Sequence, residues 1–187
     1  MASTLTLAGN ADFNGDLDVD GTANLDVVDI DGAVDMASTL AVAGAVTMPG
    51  TPAFLVKPST DQDDFAADGN VTVVLGTEIF DQASNFASNT FTSPITGRYQ
   101  LNVVLTLANV DSAAGYYNVE LVTSNRTYRN IFDPDFGQDA VYWSMPFSVL
   151  ADMDASDTAY LRIYQASGSA QTDILHLSTT FSGYLVA

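Results

Sequence analysis

The chain has 187 residues, which is enough for one ordinary domain with an appendage and too few for two full domains. Its 23 acidic and 5 basic residues give a formal net charge of −18, so binding to nucleic acid or to an anionic membrane surface is disfavoured. Cysteine is absent, which excludes thiol catalysis, thiolate metal sites and disulfides.

The first 48 residues follow a six-residue repeat of the form apolar-x-apolar-x-Gly-x. Glycine fills the fifth position at Gly9, Gly15, Gly21 and Gly32, and one unit, which ends at Val27, is a residue short. Eight aspartates lie in this hexad segment (residues 1–48), all at even positions of the repeat. Because side chains of an extended chain alternate between two faces, one face is apolar and the other carries carboxylates. The pattern predicts a stack of very short strands that turn at the glycines.

Three arrangements of the hexad segment remain open: an intertwined trimeric β-helix stalk, a single-chain β-solenoid packed on the following domain, and a disordered leader. We favour the trimeric stalk, because one chain makes too few coils for each to be covered by its neighbours. Disorder fits poorly with apolar residues this frequent and regular. The third position of the repeat is always apolar, and its members Leu7, Phe13, Val19 and Ile30 are predicted to face the interior of the trimer.

Asp16, Asp18 and Asp20 alternate ahead of a glycine, as at the start of a calcium-binding loop. An EF-hand needs a bidentate glutamate at its twelfth position, and that position is Val27 here. The sequence therefore predicts no EF-hand. It leaves weak, adventitious Ca²⁺ or Mg²⁺ binding on these three aspartates, since a cation would relieve repulsion between stacked carboxylates. No other metal or cofactor is predicted.

Residues 49–52 read Pro-Gly-Thr-Pro and predict a linker, which leaves residues 53–187 as a second domain, the head. Alternating apolar residues and polar turns predict an all-β sandwich, most simply a jelly roll. Pro146 interrupts one predicted strand, which is therefore an edge strand or is bulged. The predicted strands cover residues 53–57, 71–80 (two strands), 98–108, 117–121, 126–132, 140–150, 158–165 and 174–186.

The head resembles the complement one-q globular-head family. The resemblance lies in Phe80-Asp81, in Asn85-Phe86, and in the run Phe91-Thr-Ser-Pro-Ile-Thr-Gly-Arg-Tyr99 that leads into a long strand. The opening strand Ala53-Phe-Leu-Val and the closing Phe181-Ser-Gly-Tyr-Leu-Val also match the family pattern. The resemblance implies a ten-strand jelly roll that forms a compact homotrimer, similar in shape to tumour-necrosis-factor domains.

The same resemblance leads us to expect Tyr99 and Phe181 in the core or at the trimer axis, since both are large apolar groups. The collagen stalk common in eukaryotic members has no counterpart here. Instead, the run from Leu25 to Leu40 is similar to segments in fibre proteins of marine tailed phages.

No convergent set of catalytic residues is found in the sequence. The single His176 alternates with Leu175 and Leu177 in the last predicted strand, which favours a structural or interface role. The clusters Asp133-Pro-Asp135 and Asp152-x-Asp-x-x-Asp157 fit glycosidase chemistry only weakly, because both lie in turn-like sequence. Most of the head's many tyrosines are expected in the core or the interface, while any at loop tips could stack on sugars.

These observations predict a non-enzymatic homotrimer on the virion surface of a tailed phage, as a capsid decoration or short fibre in contact with other virion proteins. The alternatives are a receptor-binding fibre tip, a carbohydrate-binding module that recognises host-surface glycans, and a glycan depolymerase. No secretory signal or membrane span is expected, because the N-terminal residues lack a basic region and no apolar run is long enough. We therefore expect assembly in the bacterial cytoplasm, with neither nucleic acid nor membrane as a partner.

Overall fold

The computed structural model describes Gly9 and residues 14–187, and within them all regular structure is β-strand. The chain divides into two units, and the boundary falls between Val46 and Thr47. The described residues contain no helix long and apolar enough to span a membrane. The predicted all-β class is confirmed for this part of the chain.

The described part of the hexad segment bends once per repeat. Bends lie at 14–15, 20–21, 26, 31–32, 37–38 and 43–44, and the residues between them belong to no helix or strand. They fall at the fourth and fifth positions of the repeat, and the single bend at Asp26 marks the unit that is one residue short. No strand is assigned between residues 14 and 52, and every side chain from 14 to 50 is exposed. The described units therefore form no ladder with one another.

The head contains the strands of the described residues, twelve in number and two to fourteen residues long. Two of them have only two residues, so the ten-strand form stays a prediction. They are β1 (Ala53–Lys57), β2 (Asn70–Thr72), β3 (Thr77–Gln82), β4 (Phe86–Ala87), β5 (Thr90–Thr92), β6 (Gly97–Val110), β7 (Tyr116–Thr123), β8 (Thr127–Phe132), β9 (Ala140–Met153), β10 (Thr158–Ala166), β11 (Asp173–Ile174) and β12 (Thr180–Leu185).

These strands form two antiparallel sheets of six. In the first sheet, β6 pairs with β9 on one side and with β11 and β12 on the other, and β1 and β3 follow β12. In the second sheet, β10 pairs with β7 on one side and with β2 and β5 on the other, while β8 and β4 lie at the edges. In the described residues β9 pairs only with β6, so Pro146 lies on an edge strand as predicted.

The core lies between the two sheets. Alternate residues of β6, from Tyr99 to Leu107, are at most 1% exposed, which confirms the shared apolar face predicted for this strand. From the second sheet, Tyr117, Val119 and Leu121 of β7 are fully buried against them. At about 25 cal/mol per Å² of apolar surface, burial of each such side chain contributes about 1.5 to 3 kcal/mol to folding.

The residues that carry the one-q resemblance pack together in this core. The ring of Phe54 stacks on Phe91 with centroids 4.6 Å apart and meets Phe181 edge-on at 5.0 Å. The carboxylate of Asp81 accepts hydrogen bonds from the backbone N–H groups of Asn85 (3.1 Å) and Phe86 (2.9 Å), which fixes the turn between them. The motif is therefore a set of core contacts and the turn that positions them.

Two local predictions are wrong. The last strand, predicted over residues 174–186, is interrupted by a turn at 176–178, so His176 is not in a strand. The turn forms because Thr179 N–H bonds to Leu175 O (3.2 Å) and the Thr179 hydroxyl accepts from Thr106 N–H (3.1 Å). The hairpin β4–β5 was not expected. Ser88 and Asn89 both take positive φ there, which closes a two-residue hairpin without glycine.

Candidate functional site

The outer face of the second sheet carries a polar cluster that the sequence analysis did not single out. Along β7 the apolar Val119 and Leu121 point into the core, so the alternating Asn118 and Glu120 point outward. Both are nevertheless buried: Asn118 is 8% exposed and Glu120 is 2% exposed. Neighbouring side chains on the same face therefore cover them.

Glu120 is held between two arginines from the flanking strands. The register places it directly opposite Arg162 of β10 and Arg129 of β8, so the three side chains form one row across the sheet. Arg129 Nε donates to Glu120 Oε1 at 2.7 Å, and Arg162 Nε donates to Oε2. Asn118 Nδ2 also donates to Oε1, at 2.8 Å. The carboxylate is thus satisfied by three donors.

Two opposing effects act on the pKa of Glu120. Burial works to raise it, but the hydrogen bonds from Arg129 and Arg162 outweigh burial and lower the pKa below its ordinary value. Glu120 is therefore ionised at neutral pH, and the row carries two positive charges and one negative charge. A charged group this buried is tolerated because each of its oxygens is paired.

A pocket of about 410 Å³ opens above this row. That volume lies in the range of small-molecule sites. One wall holds Tyr116 and Tyr164, whose rings stack with centroids 5.8 Å apart and an interplanar angle of 29°. Burial and the neighbouring Asp68 carboxylate raise the pKa of Tyr164, so its hydroxyl keeps its proton. The pocket is lined by Asn70, Tyr116, Asn118, Glu120, Arg129, Ile131, Arg162 and Tyr164.

One atom in this wall lacks a partner. Asn118 Oδ1 is buried and accepts no hydrogen bond from any described residue, while the Nδ2 of the same side chain is engaged by Glu120. Buried polar atoms in folded proteins are nearly always paired. The arrangement combines guanidinium donors, a buried acceptor without a partner and an aromatic surface, which are groups suited to binding a ligand.

A second pocket, of about 440 Å³, lies beside His176 on the first sheet. Both Nδ1 and the backbone N–H of His176 lie 2.7 Å from Asp61 Oδ1, and these hydrogen bonds lower the pKa of Asp61. Ser144 and Ser178 line the same pocket, but the Ser144 hydroxyl is hydrogen-bonded to Thr106 Oγ1 at 2.9 Å. No hydrogen bond among the described residues joins a serine to His176, so the nucleophile–base contact of a triad is not formed.

The acidic clusters that we considered for glycosidase chemistry lie at the end of β9 and in the loops that follow β8 and β9. Asp152 makes a bidentate ion pair with Arg126, with both N–O distances 2.8 Å. Asp157 Oδ2 accepts from the side chain of Asn125 and from the backbone of Asp154. Asp133 Oδ1 accepts from the backbone N–H of Asp135 at 3.2 Å. These carboxylates stabilise their own loops.

The predicted site residues lie in both units. Tyr99 and Phe181 are fully buried in the core of the head. Val19 and Ile30 are 46% and 54% exposed within the single chain, while Leu7 and Phe13 lie outside the described residues. Asp16, Asp18 and Asp20 are all exposed, and the described residues contain no group of three or more acidic or histidine side chains arranged to hold a metal ion. Metal binding by these aspartates stays a prediction.

The polar row could have been noticed in the sequence by its composition alone. The chain has only two glutamates, and Glu120 interrupts the apolar run of a strand. Four of the five basic residues occupy strand positions, among them Arg129 and Arg162. The sequence does not reveal the register that places β8, β7 and β10 side by side.

Comparison with known proteins agrees with this architecture. The chain is similar to the globular domain of zebrafish complement 1qA, with a TM-score of 0.54 and 16% identity over 73% of this chain and 98% of that one. It is also similar to murine APRIL, with a TM-score of 0.53 and 11% identity over 73% of this chain and 99% of the other. No family model and no curated protein matches the sequence. These likenesses confirm the predicted fold of the head as a jelly roll of the complement one-q and tumour-necrosis-factor type.

Proposed function

We propose that the chain is a non-enzymatic homotrimer in which the hexad segment is an attachment stalk and the head is displayed on the surface of a tailed-phage particle. It would serve there as a capsid decoration or a short fibre. The observation that carries this proposal is an uncharged outer face on the first sheet. The stalk pattern and the absence of a formed triad in the described residues support it.

The outer face of the first sheet has the composition of an interface. Residues 100–108, 142–150 and 180–185 belong to three adjacent strands of this sheet, and none of them is charged in a chain whose net charge is −18. Tyr142, Leu150 and Tyr184 lie on this face with exposures of 66%, 54% and 49%. Depletion of charge together with exposed aromatic residues is typical of the centre of a protein–protein interface. The one-q resemblance makes two further copies of this chain the natural partners.

The hexad segment also exposes apolar side chains in the single chain. Large apolar side chains at its first and third positions, from Leu17 to Met48, are about half exposed or more in the single chain. A single-chain solenoid would cover them by pairing successive units, and no such pairing occurs among residues 14–52. Three chains wound together would bury them while leaving the aspartates in solvent, which supports the trimeric stalk over its alternatives.

Labelling of virus particles tests this proposal. An antibody raised against residues 53–187 should decorate intact particles of the phage that encodes the chain, at the capsid or the tail, in negative-stain electron microscopy. A control antibody against an internal virion protein should not label them. If the chain is found only in infected-cell lysate and never on particles, the virion assignment is wrong.

A second candidate function, recognition of a host-surface glycan, is favoured by the pocket of the second sheet. That pocket lies on the sheet that does not carry the uncharged face, so trimer formation through the first sheet leaves it open. A receptor-binding fibre tip and a carbohydrate-binding module would both use such a pocket. Binding of glycans to the isolated protein distinguishes them from a decoration protein, which would bind particles and ignore glycans.

A further inference from the structure

We infer that the pocket on the second sheet binds an acidic sugar, with the sugar carboxylate on Arg129 and Arg162 and a sugar hydroxyl on Asn118. This goes beyond the proposed display function and does not depend on it, because every residue involved belongs to the head of one chain. Three features of the pocket lead to this ligand class.

The two arginines supply donors for a carboxylate. Each uses its Nε on Glu120, and neither guanidinium makes another hydrogen bond with the described residues. The terminal Nη groups are therefore available to a ligand. Glu120 also orients both guanidiniums, so little side-chain freedom is lost on binding. A guanidinium matches the planar geometry of a carboxylate and can bind it through two parallel hydrogen bonds.

The unpartnered Asn118 Oδ1 distinguishes a sugar from a simple anion. This buried acceptor needs a donor, and sulfate or a carboxylate ion has only acceptors to offer. Less than 1 Å² of this atom is accessible, so the side chains that cover Asn118 must move aside for a sugar hydroxyl to donate there. A carboxylate on the same ring then accepts from the arginines. An acidic sugar is thus the small ligand that satisfies both kinds of group at once.

The tyrosine pair provides an apolar surface for the sugar ring. Tyr116 is 40% exposed, and it stacks on Tyr164 so that the two rings form a continuous wall. Binding sites for small molecules typically combine such a surface with a few fixed polar groups. A neutral sugar would use the wall and Asn118 but would bring no carboxylate for the terminal Nη groups of the arginines. We therefore expect acidic sugars to bind more tightly than their neutral counterparts.

Saturation-transfer NMR on the full chain tests the inference with D-glucuronate and D-galacturonate as probes. D-Glucose and D-galactose are the matched neutral sugars, and sodium acetate at equal concentration is the competitor. The expected result is saturation transfer to the two uronates, little transfer to the neutral sugars, and no loss of signal on addition of acetate. Equal binding of neutral sugars, displacement by acetate, or no binding of either uronate would each contradict the assignment.

Matched variants locate the binding site. Arg129→Gln should weaken uronate binding roughly ten- to hundredfold, the usual effect of losing a charge-assisted hydrogen bond. Arg126→Gln removes another exposed arginine that pairs with a carboxylate outside the pocket, and it should leave binding unchanged. Tyr116→Ala, which alters an exposed ring and not the buried row, should also weaken binding. If the Arg126 variant loses binding as much as the Arg129 variant, or if both pocket variants bind normally, the ligand does not occupy this pocket.

Discussion

At the scale of single residues, Gly183 shows why the closing motif of the head needs glycine. A Cβ at this position would lie 2.5 Å from Leu101 Cδ2 and 2.8 Å from Phe54 Cε1. Gly183→Ala should therefore lower the free energy of unfolding by about 1 to 3 kcal/mol through overpacking. Urea and thermal melts measure the effect. Gly69→Ala is the control, since a Cβ there meets nothing within 4 Å, and equal stability of the two variants would contradict the packing argument.

The row of Arg129, Glu120 and Arg162 should make stability depend on pH in acid. The folded-state pKa of Glu120 is lowered below its ordinary value of 4.5, so its ion pairs stabilise the fold above that value. This contribution is lost as the pH falls from 4.5 through the folded-state pKa, because the unfolded chain then binds a proton at Glu120 that the ion-paired folded state does not bind. Breaking a buried pair costs about 3 kcal/mol or more.

Comparison of the wild type with Glu120→Gln isolates this effect from the other carboxylates. The variant should be less stable than the wild type at pH 7, and the difference should shrink as the pH falls below 4.5. Chemical denaturation at a series of pH values measures both. A stability difference that stays constant over this window would show that the charge of Glu120 does not stabilise the fold.

At the scale of elements, the hexad segment offers a direct test of which face is buried. If the third position of each unit faces the interior of a trimer, Val19→Asp places three carboxylates in an apolar interior, at a cost of several kcal/mol each. Asp18→Asn, one position away, should cost almost nothing or should stabilise by reducing repulsion between like charges. Limited proteolysis should show cleavage within residues 1–50 of the Val19 variant, with residues 53–187 left folded.

Two outcomes would contradict this assignment of faces. Equal sensitivity of the Val19 and Asp18 variants would mean that the register of the repeat is wrong. Simultaneous unfolding of the whole protein in the Val19 variant would mean that the segment and the head do not fold independently, and that the linker predicted at residues 49–52 is not a boundary.

A strand could be predicted where its alternation of apolar and polar residues agrees with the contacts that it makes in the fold. The strand β6 was predictable because five apolar residues alternate from Tyr99 to Leu107 and all face the core. The interruption of the last predicted strand could not be predicted. Residues 174–186 alternate as a strand does, but Asp61 and Thr106, distant in sequence, draw His176 and Thr179 into a turn. A period of two in the sequence does not reveal such long-range hydrogen bonds.

The pocket could not be predicted for a similar reason. Its residues come from β2, β7, β8 and β10, and only the register of these strands places Glu120 between two arginines. Aspartate clusters are conspicuous in the sequence, but in the head they lie at the end of β9 and in the loops after β8 and β9. Most tyrosines of the head were expected in the core or an interface, and only the fold brings Tyr116 and Tyr164 into a stack beside the pocket.

At the scale of the whole molecule, the two sheets of the head present different outer faces. The outer face of β6, β9 and β12 in the first sheet is uncharged, whereas the second sheet presents the row of Glu120 and its arginines. If copies of the chain associate through the first sheet, the pockets of the second sheet face solvent on every protomer. A trimer would then display three pockets, and weak binding by each would combine into a much stronger attachment to a surface that carries many copies of the ligand.

The final prediction concerns this association. Native mass spectrometry should give a mass near three times 19.8 kDa. Tyr184→Asp should shift the protein toward monomer, because a charge at the centre of an apolar interface loses its hydration without gaining a partner. Ile131→Asp is the matched control: Ile131 is 57% exposed, close to the 49% of Tyr184, but it lies on the outer face of the second sheet. It should leave the trimer intact. A monomeric wild type at micromolar concentration, or dissociation by the Ile131 variant and not by the Tyr184 variant, would show that the first sheet is not the interface.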